Sequence, residues 1–198
     1  EEKLRDFEKQ MAEAEREYNE SLDRYQKSLY EYETQKSNTL AALEAKQGEI
    51  DSNRKSITSA MAQIEKSGVL EQHNRLTETV RSLEKTISQI SDTGSDEYIA
   101  AISQLEQAKS ALSEIEATGV IEQYAALQSS LAQADAAQKE LDMAKEAAKS
   151  QFEATEAELA SAKAQLDSAR KELENRHKEI RDGWSSLEKG KDEYNKNL

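Results

Sequence analysis

Large apolar residues recur every seven positions near the C-terminal end of this chain, and small or polar residues fall between them. The large ones are Phe152, Leu159, Leu166, Leu173, Ile180, Leu187 and Tyr194. The N-terminal segment has a matching row, which is Leu4, Met11, Tyr18, Tyr25 and Tyr32. A seven-residue repeat of this kind predicts helices that pair along a narrow seam. The two segments can cover each other's seams if the chain reverses between them, so we predict an antiparallel coiled-coil stalk.

The composition favours helices without a wide core. The 198 residues include no Pro and no Cys, 34% are charged, and the mean hydropathy is -0.93. These values are typical of long helices with narrow apolar seams, so we predict an all-α fold. The formal net charge of -13 would repel phosphate groups, so nucleic acid is not expected as a partner.

A glycine-centred phrase occurs twice in the middle of the chain. It reads SGVLEQ from Ser67 and TGVIEQ from Thr118, and the apolar periodicity breaks at both places. A left-handed glycine commonly ends a helix, and a Schellman ending would let Val69 contact Ile64. We therefore predict turns near 67–69 and 118–120, and a third turn in the polar stretch at 92–96.

The three turns predict two tandem αα-hairpins that form a distal four-helix head. In this interpretation residues 1–39 are the ascending stalk helix, 40–144 the helical head, and 145–198 the descending stalk helix. Both glycine turns would then lie at the distal tip. The alternative is one long straight helical hairpin turning at 92–96, because a glycine inside a helix costs only about 1 kcal/mol relative to alanine.

The residues around the two glycine turns are the candidate contact site, where we expect a protein or peptide partner. They are Gly68, Val69, Leu70, Gln72, Gly119, Val120, Ile121, Gln123 and Tyr124. No catalytic, cofactor-binding or metal-binding residue is predicted, and the chain is not expected to be an enzyme. The two histidines, His73 and His177, are far apart in sequence, and no nucleophile or phosphate-loop motif is present.

The C-terminal text IRDGWSSLEKGKDEYNKNL combines the apolar row with glycines. Ile180, Gly183, Leu187, Gly190 and Tyr194 form the pattern apolar-x-x-Gly-x-x-x-apolar-x-x-Gly. This text resembles the long coiled-coil insertions in the extracytoplasmic loop of FtsX-like (MacB-type) ABC transporter permeases of Gram-positive bacteria. Phage-infection-protein (YhgE/Pip) membrane proteins are the near alternative. The resemblance covers the descending segment most closely, the ascending segment loosely, and the middle not at all.

The resemblance implies the extracytoplasmic, cell-surface part of a bacterial plasma-membrane protein. The parent would be anchored in the membrane by helices outside this segment, and a cytoplasmic ATPase subunit that this segment does not contact would drive it. The implied role is a stalk for reach, for partner or substrate contact and for mechanical coupling. The chain begins and ends in helical rhythm, so we expect it to be part of a longer protein. The alternative function is a structural cytoplasmic coiled-coil rod of chromosome-maintenance or cytoskeletal type.

Overall fold

The computed structural model describes residues 1–197, and within that range the chain forms four α-helices and no β-strand. The helices are α1 (Glu2–Lys66), α2 (Val69–Gln89), α3 (Asp96–Ala117) and α4 (Val120–Lys196). The predicted all-α class and the helical hairpin arrangement are confirmed. All three predicted turns coincide with helix boundaries.

The connection between α2 and α3 is built from short polar side chains. Asp92 accepts a hydrogen bond from the Gly94 N–H at 2.9 Å, which closes a tight turn. Ser95 is the N-cap of α3, where its hydroxyl accepts from the Tyr98 N–H at 3.2 Å. Asp96 and Glu97 occupy the first turn of α3, where the helix dipole favours negative charge.

The chain divides into two compact units. The terminal unit combines residues 1–43 with the chain from 144 onward, and the middle unit is 44–143. Both α1 and α4 contribute to each unit.

In the terminal unit, α1 and α4 are antiparallel. Three acidic residues at and just before the start of α1, seven positions apart, each contact a donor of α4, and the donors descend in steps of seven. The pairs are Glu1 with Lys191, Glu8 with Trp184, and Glu15 with His177. Met11 and Leu166 are buried, and the Leu4 side chain packs directly over Gly183. Leu4, Met11 and Leu166 of the predicted seam rows therefore face the partner helix, whereas Tyr194 is 66% exposed.

In the middle unit, α2 packs against α3, and the end of α1 contacts the start of α4. Lys109 pairs with Glu84 at 2.7 Å across the first interface, and Arg54 pairs with Asp135 at 2.8 Å across the second. The buried apolar residues of this unit are Ile50, Ile57, Ala101, Ala108, Ala134 and Leu141.

The burial pattern distinguishes the two predicted arrangements of the middle helices. In α2 the less exposed residues form one stripe at three- and four-residue spacing, and none of them is fully buried. Two tandem hairpins would pack α1 against α2 and cover a second stripe on each helix. The middle unit thus has the pairing of the single-hairpin alternative, which reverses between α2 and α3. It also has both helix breaks at the glycines, as the four-helix prediction requires.

Within residues 1–197, no helix contains an apolar stretch of the length and hydropathy needed to cross a bilayer.

Candidate functional site

The two repeated phrases have the same backbone structure. Gly68 has φ 76° and Gly119 has φ 69°, both in the left-handed region. Each glycine N–H bonds to the carbonyl three residues earlier, that of Glu65 at 3.2 Å and that of Glu116 at 3.0 Å. The next helix starts at the following residue in both cases. The sequence repeat is therefore a repeat of one local structure, in which a helix ends and another begins at once.

A hydroxyl group completes each break in place of the full Schellman pattern. The Ser67 hydroxyl donates to the Ile64 carbonyl at 2.6 Å and accepts from the Val69 N–H at 3.3 Å. A Schellman ending would instead send the Val69 N–H to the Ile64 carbonyl. Thr118 makes the same two bonds, to the Ile115 carbonyl and from the Val120 N–H. In each break the hydroxyl therefore accepts from the N–H group and donates to the carbonyl group that a Schellman bond would join directly.

The two breaks lie side by side in the middle unit. On one side of them, the Tyr124 hydroxyl donates to Glu65 at 2.5 Å. On the other side, His73 lies 3.5 Å from Glu116. Since these contacts join α1 to α4 and α2 to α3, both glycines fall in the same short section of the paired helices. Paired helix continues on both sides of that section.

The predicted contact residues divide into a half-buried group and an exposed group. Half-buried are Gly68, Val69, Leu70, Val120, Ile121 and Tyr124. Exposed are Gln72, Gln123 and Gly119. The structure brings the two phrases together, and the apolar side chains lie partly in the space between the helices. Their contact with a partner stays a prediction.

Charge at this site is modest and mostly acidic. The hydrogen bond to Glu65 raises the pKa of Tyr124, because an ionised phenolate would face a carboxylate. Glu71 and Glu122 lie in the first turns of α2 and α4, where the helix dipole favours them. Glu71 also pairs with Arg75 on the same helix at 2.7 Å.

A second polar cluster, which the sequence did not indicate, joins α1 to α4 in the terminal unit. Glu156 accepts hydrogen bonds from Lys36 and from the Tyr32 hydroxyl, each at 2.5 Å. The bond from Lys36, followed by that from Tyr32, lowers the pKa of Glu156. The Phe152 ring meets the Tyr32 ring edge to face, with 6.2 Å between centroids. The Lys36 ammonium group lies 5.5 Å from the Tyr32 ring centroid, a cation–π distance.

A groove of about 610 Å³ lies between the helices of the terminal unit. Small side chains form much of its lining, namely Ala14, Ser21, Ser28, Thr155, Ala162 and Ala169. Tyr18 and Tyr25 border it, half-buried, as expected for seam residues. The groove exists because these small residues alternate with the large apolar ones along the seam.

Among residues 1–197, no three histidine, aspartate or glutamate side chains are grouped so that they could hold a metal ion. The two histidines lie in different units, His73 with a side chain 20% exposed and His177 with one 57% exposed. Comparison of the chain with protein-family models, with curated proteins and with solved structures finds no match.

Proposed function

We propose that this chain is a non-catalytic helical domain of a bacterial ABC transporter permease, located outside the cytoplasm. In this role it is a coiled-coil stalk that gives reach, contacts a protein or peptide partner and passes conformational change along its length. The parent is anchored in the plasma membrane by segments outside residues 1–198, and a cytoplasmic ATPase subunit drives it. No residue of this segment takes part in nucleotide chemistry.

The observation that carries the proposal is the packing of Gly183, the first glycine of the C-terminal pattern, against α1. Leu4 of α1 packs over Gly183 of α4, within the stretch whose sequence resembles the permease insertions. A Cβ atom built on Gly183 would lie 2.8 Å from the Leu4 Cδ2 atom, so glycine permits this close approach. Gly183 therefore has a packing role in the paired helices, whereas Gly190 and Tyr194 of the same pattern are exposed.

The matched acidic and donor rows support a mechanical role. An exposed ion pair such as Glu1–Lys191 contributes about 0–1 kcal/mol, and the exposed hydrogen bonds of Glu8 and Glu15 likewise add little to stability. They do favour antiparallel pairing of two long helices, as complementary side chains beside the seam of a coiled coil do. Antiparallel pairing along the length of both helices is what transmission of movement requires.

The first test is to read about forty encoded residues on each side of this segment in the parent gene. Apolar stretches of about 20 residues on both sides would support membrane anchoring. Continued heptads, or an ATPase or filament domain, would contradict the proposal and favour the structural cytoplasmic rod.

The second test locates the segment in cells. Residues 1–198 contain no cysteine, so cysteine at the exposed Ser129 is the one label site within this segment, and any cysteine elsewhere in the full-length parent is first replaced by serine. A membrane-impermeant maleimide applied to intact cells should label this variant as fully as it does after lysis. Labelling only after lysis would refute an extracytoplasmic location.

A further test addresses the partner contact. Replacing Leu70 and Ile121 by serine should weaken binding of a partner identified for the parent, with helix content by circular dichroism retained. Serine at the exposed Gln72 and Gln123 is the matched control for changes in the same two phrases. Unchanged binding by the Leu70 and Ile121 variant would remove this surface from the proposal.

A further inference from the structure

We propose that the paired breaks at Gly68 and Gly119 form a two-stranded joint, at which the α2–α3 hairpin changes its angle to the adjoining ends of α1 and α4. The joint lies wholly inside the middle unit. This inference is independent of the membrane setting, because it rests only on the backbone and the contacts of residues 44–143.

The first argument is the loss of helical hydrogen bonds. In an intact helix the N–H groups of Val69, Leu70 and Glu71 would bond to carbonyls four residues earlier. Within residues 1–197 none of these three reaches a carbonyl of α1, and the first backbone bond of α2 runs from the Gln72 N–H to the Gly68 carbonyl at 3.0 Å. The equivalent first bond of α4 runs from Gln123 to Gly119 at 2.9 Å. Neither helix is continuous through this section.

The second argument is that the two breaks coincide. If only one helix of a pair were interrupted, the intact neighbour would hold both straight, because its backbone bonds resist bending. Here the Glu65–Tyr124 bond and the His73–Glu116 contact enclose both breaks between them. Both strands are therefore interrupted within the same short section.

The third argument is that these are the only residues between 1 and 197 with positive φ. A Cβ atom added at Gly68 or Gly119 would meet no atom within 4 Å, so packing does not require glycine there. Backbone conformation is the remaining physical reason for glycine, since left-handed φ is unfavourable for residues with a side chain.

The joint can be tested by distances between spin labels in the full chain. Cysteines replacing Ser52 in α1 and Ser82 in α2, both exposed, place one label on each side of the joint. A second pair at the exposed Glu122 and Glu140 lies within α4 of the same unit and does not cross it. Pulsed electron–electron double resonance should give a wider distance distribution for the first pair of labels than for the second.

Alanine at both glycines should straighten the joint. The left-handed penalty for a side chain corresponds to about a 5- to 30-fold shift towards helical backbone at each position. In Gly68→Ala/Gly119→Ala the Ser52–Ser82 distribution should narrow and move towards about 45 Å, the length of a continuous helix between those positions. Asparagine at both positions tolerates left-handed φ and should keep the wide distribution.

Gly48→Ala is the matched control for a glycine replaced in a helix of the same unit. Gly48 has helical φ, and an added Cβ meets nothing within 4 Å, so the distribution across the joint should not change. If the wild-type distribution across the joint is as narrow as that within α4, the joint is a fixed bend and the proposal is overturned. An unchanged distribution in the alanine variant overturns it as well. The wild-type result decides the question even if the double variant folds poorly.

Discussion

Replacing the Gln47–Gln138 pair by leucines should reveal strong coupling between the two positions. The two amides exchange hydrogen bonds between α1 and α4, at 2.8 Å from Gln47 to Gln138 and 3.1 Å in the reverse direction. Each amide also donates to an aspartate four residues further along its own helix, at 3.0 and 2.9 Å. Both side chains are half-buried between the two helices.

The magnitude follows from the two reciprocal bonds and the burial. A neutral hydrogen bond contributes about 1 kcal/mol net, so the pair contributes about 2 kcal/mol, and either single leucine variant loses all of it. A leucine that is half-buried recovers about 1 kcal/mol of apolar burial. Each single variant should therefore lose about 1 kcal/mol of unfolding free energy. The double variant should be close to wild type, which gives a coupling energy of about 2 kcal/mol.

The assay is urea unfolding followed by circular dichroism for the wild type, Gln47→Leu, Gln138→Leu and the double variant. The comparison requires that the slope of the unfolding free energy against urea concentration is the same for all four proteins. Gln133→Leu, at an exposed position of α4, is the control for adding a surface leucine and should change stability by less than about 0.5 kcal/mol. Additivity of the two single effects within about 0.5 kcal/mol would refute the claim that the amides act as a unit.

Two further predictions concern the helix interfaces. Gly48→Ala should raise the unfolding free energy by about 1 kcal/mol because its Cβ meets open space, whereas Gly183→Ala should gain less than half of that because the Leu4 side chain must move. Equal gains in urea unfolding would contradict the close packing at Gly183. The lowered pKa of Glu156 means that its bond to Lys36 adds stability above the ordinary carboxyl pKa of 4.5, and that this stability is lost as pH falls through the lowered value. Glu156→Gln should thus lower the thermal midpoint at pH 7 but not at the acid end of a pH series, and equal effects at both pH values would refute the assignment.

The helix class and the helix ends could be predicted from the sequence. Proline is absent, the apolar spacing is helical within each segment, and the glycine phrases fall where that periodicity breaks. These are local signals, and local physics decides whether a helix continues or ends. The position of Ser95 before two acidic residues belongs to the same class of signal, and the structure uses Ser95 as the N-cap of α3.

The pairing of helices across the glycines could not be predicted in the same way. A left-handed glycine ends a helix, but it does not specify the direction of the next one. The structure shows that the hydroxyls of Ser67 and Thr118 take the partners of the Schellman bond and that the next helix starts immediately. Serine and threonine at these positions are also compatible with a full reversal. The choice therefore depends on packing between segments distant in sequence.

The Tyr32–Lys36–Glu156 cluster escaped the sequence interpretation for a related reason. Tyr32 belongs to the predicted seam row and is half-buried against α4, but the acceptor of its hydroxyl is 124 residues away in the sequence. That partner is defined only once the register of α1 against α4 is known. A single sequence gives the spacing within each helix but does not give the offset between them.

The offset itself is set by features that occur once rather than by those that repeat. A slip of one heptad would place Glu8 opposite Lys191 and Glu15 opposite Trp184. These two acidic residues would again face donors, and only Glu1 would lose its partner. The acidic and donor rows therefore favour antiparallel pairing but discriminate weakly between registers.

The same slip would place Gln47 opposite Lys145 instead of Gln138, and a slip in the other direction would place it opposite Leu131. Neither residue can exchange two amide bonds with it. Either slip would also separate Gly68 from Gly119, so that each break would face an intact helix. Single polar pairs of this kind are known to specify register in paired helices at some cost in stability. The Gln47–Gln138 pair and the facing Gly68 and Gly119 thus have one explanation: each pair is matched only in the native register. The Gln47–Gln138 pair therefore specifies the register while adding little stability, which is why the leucine double variant is expected to be close to wild type.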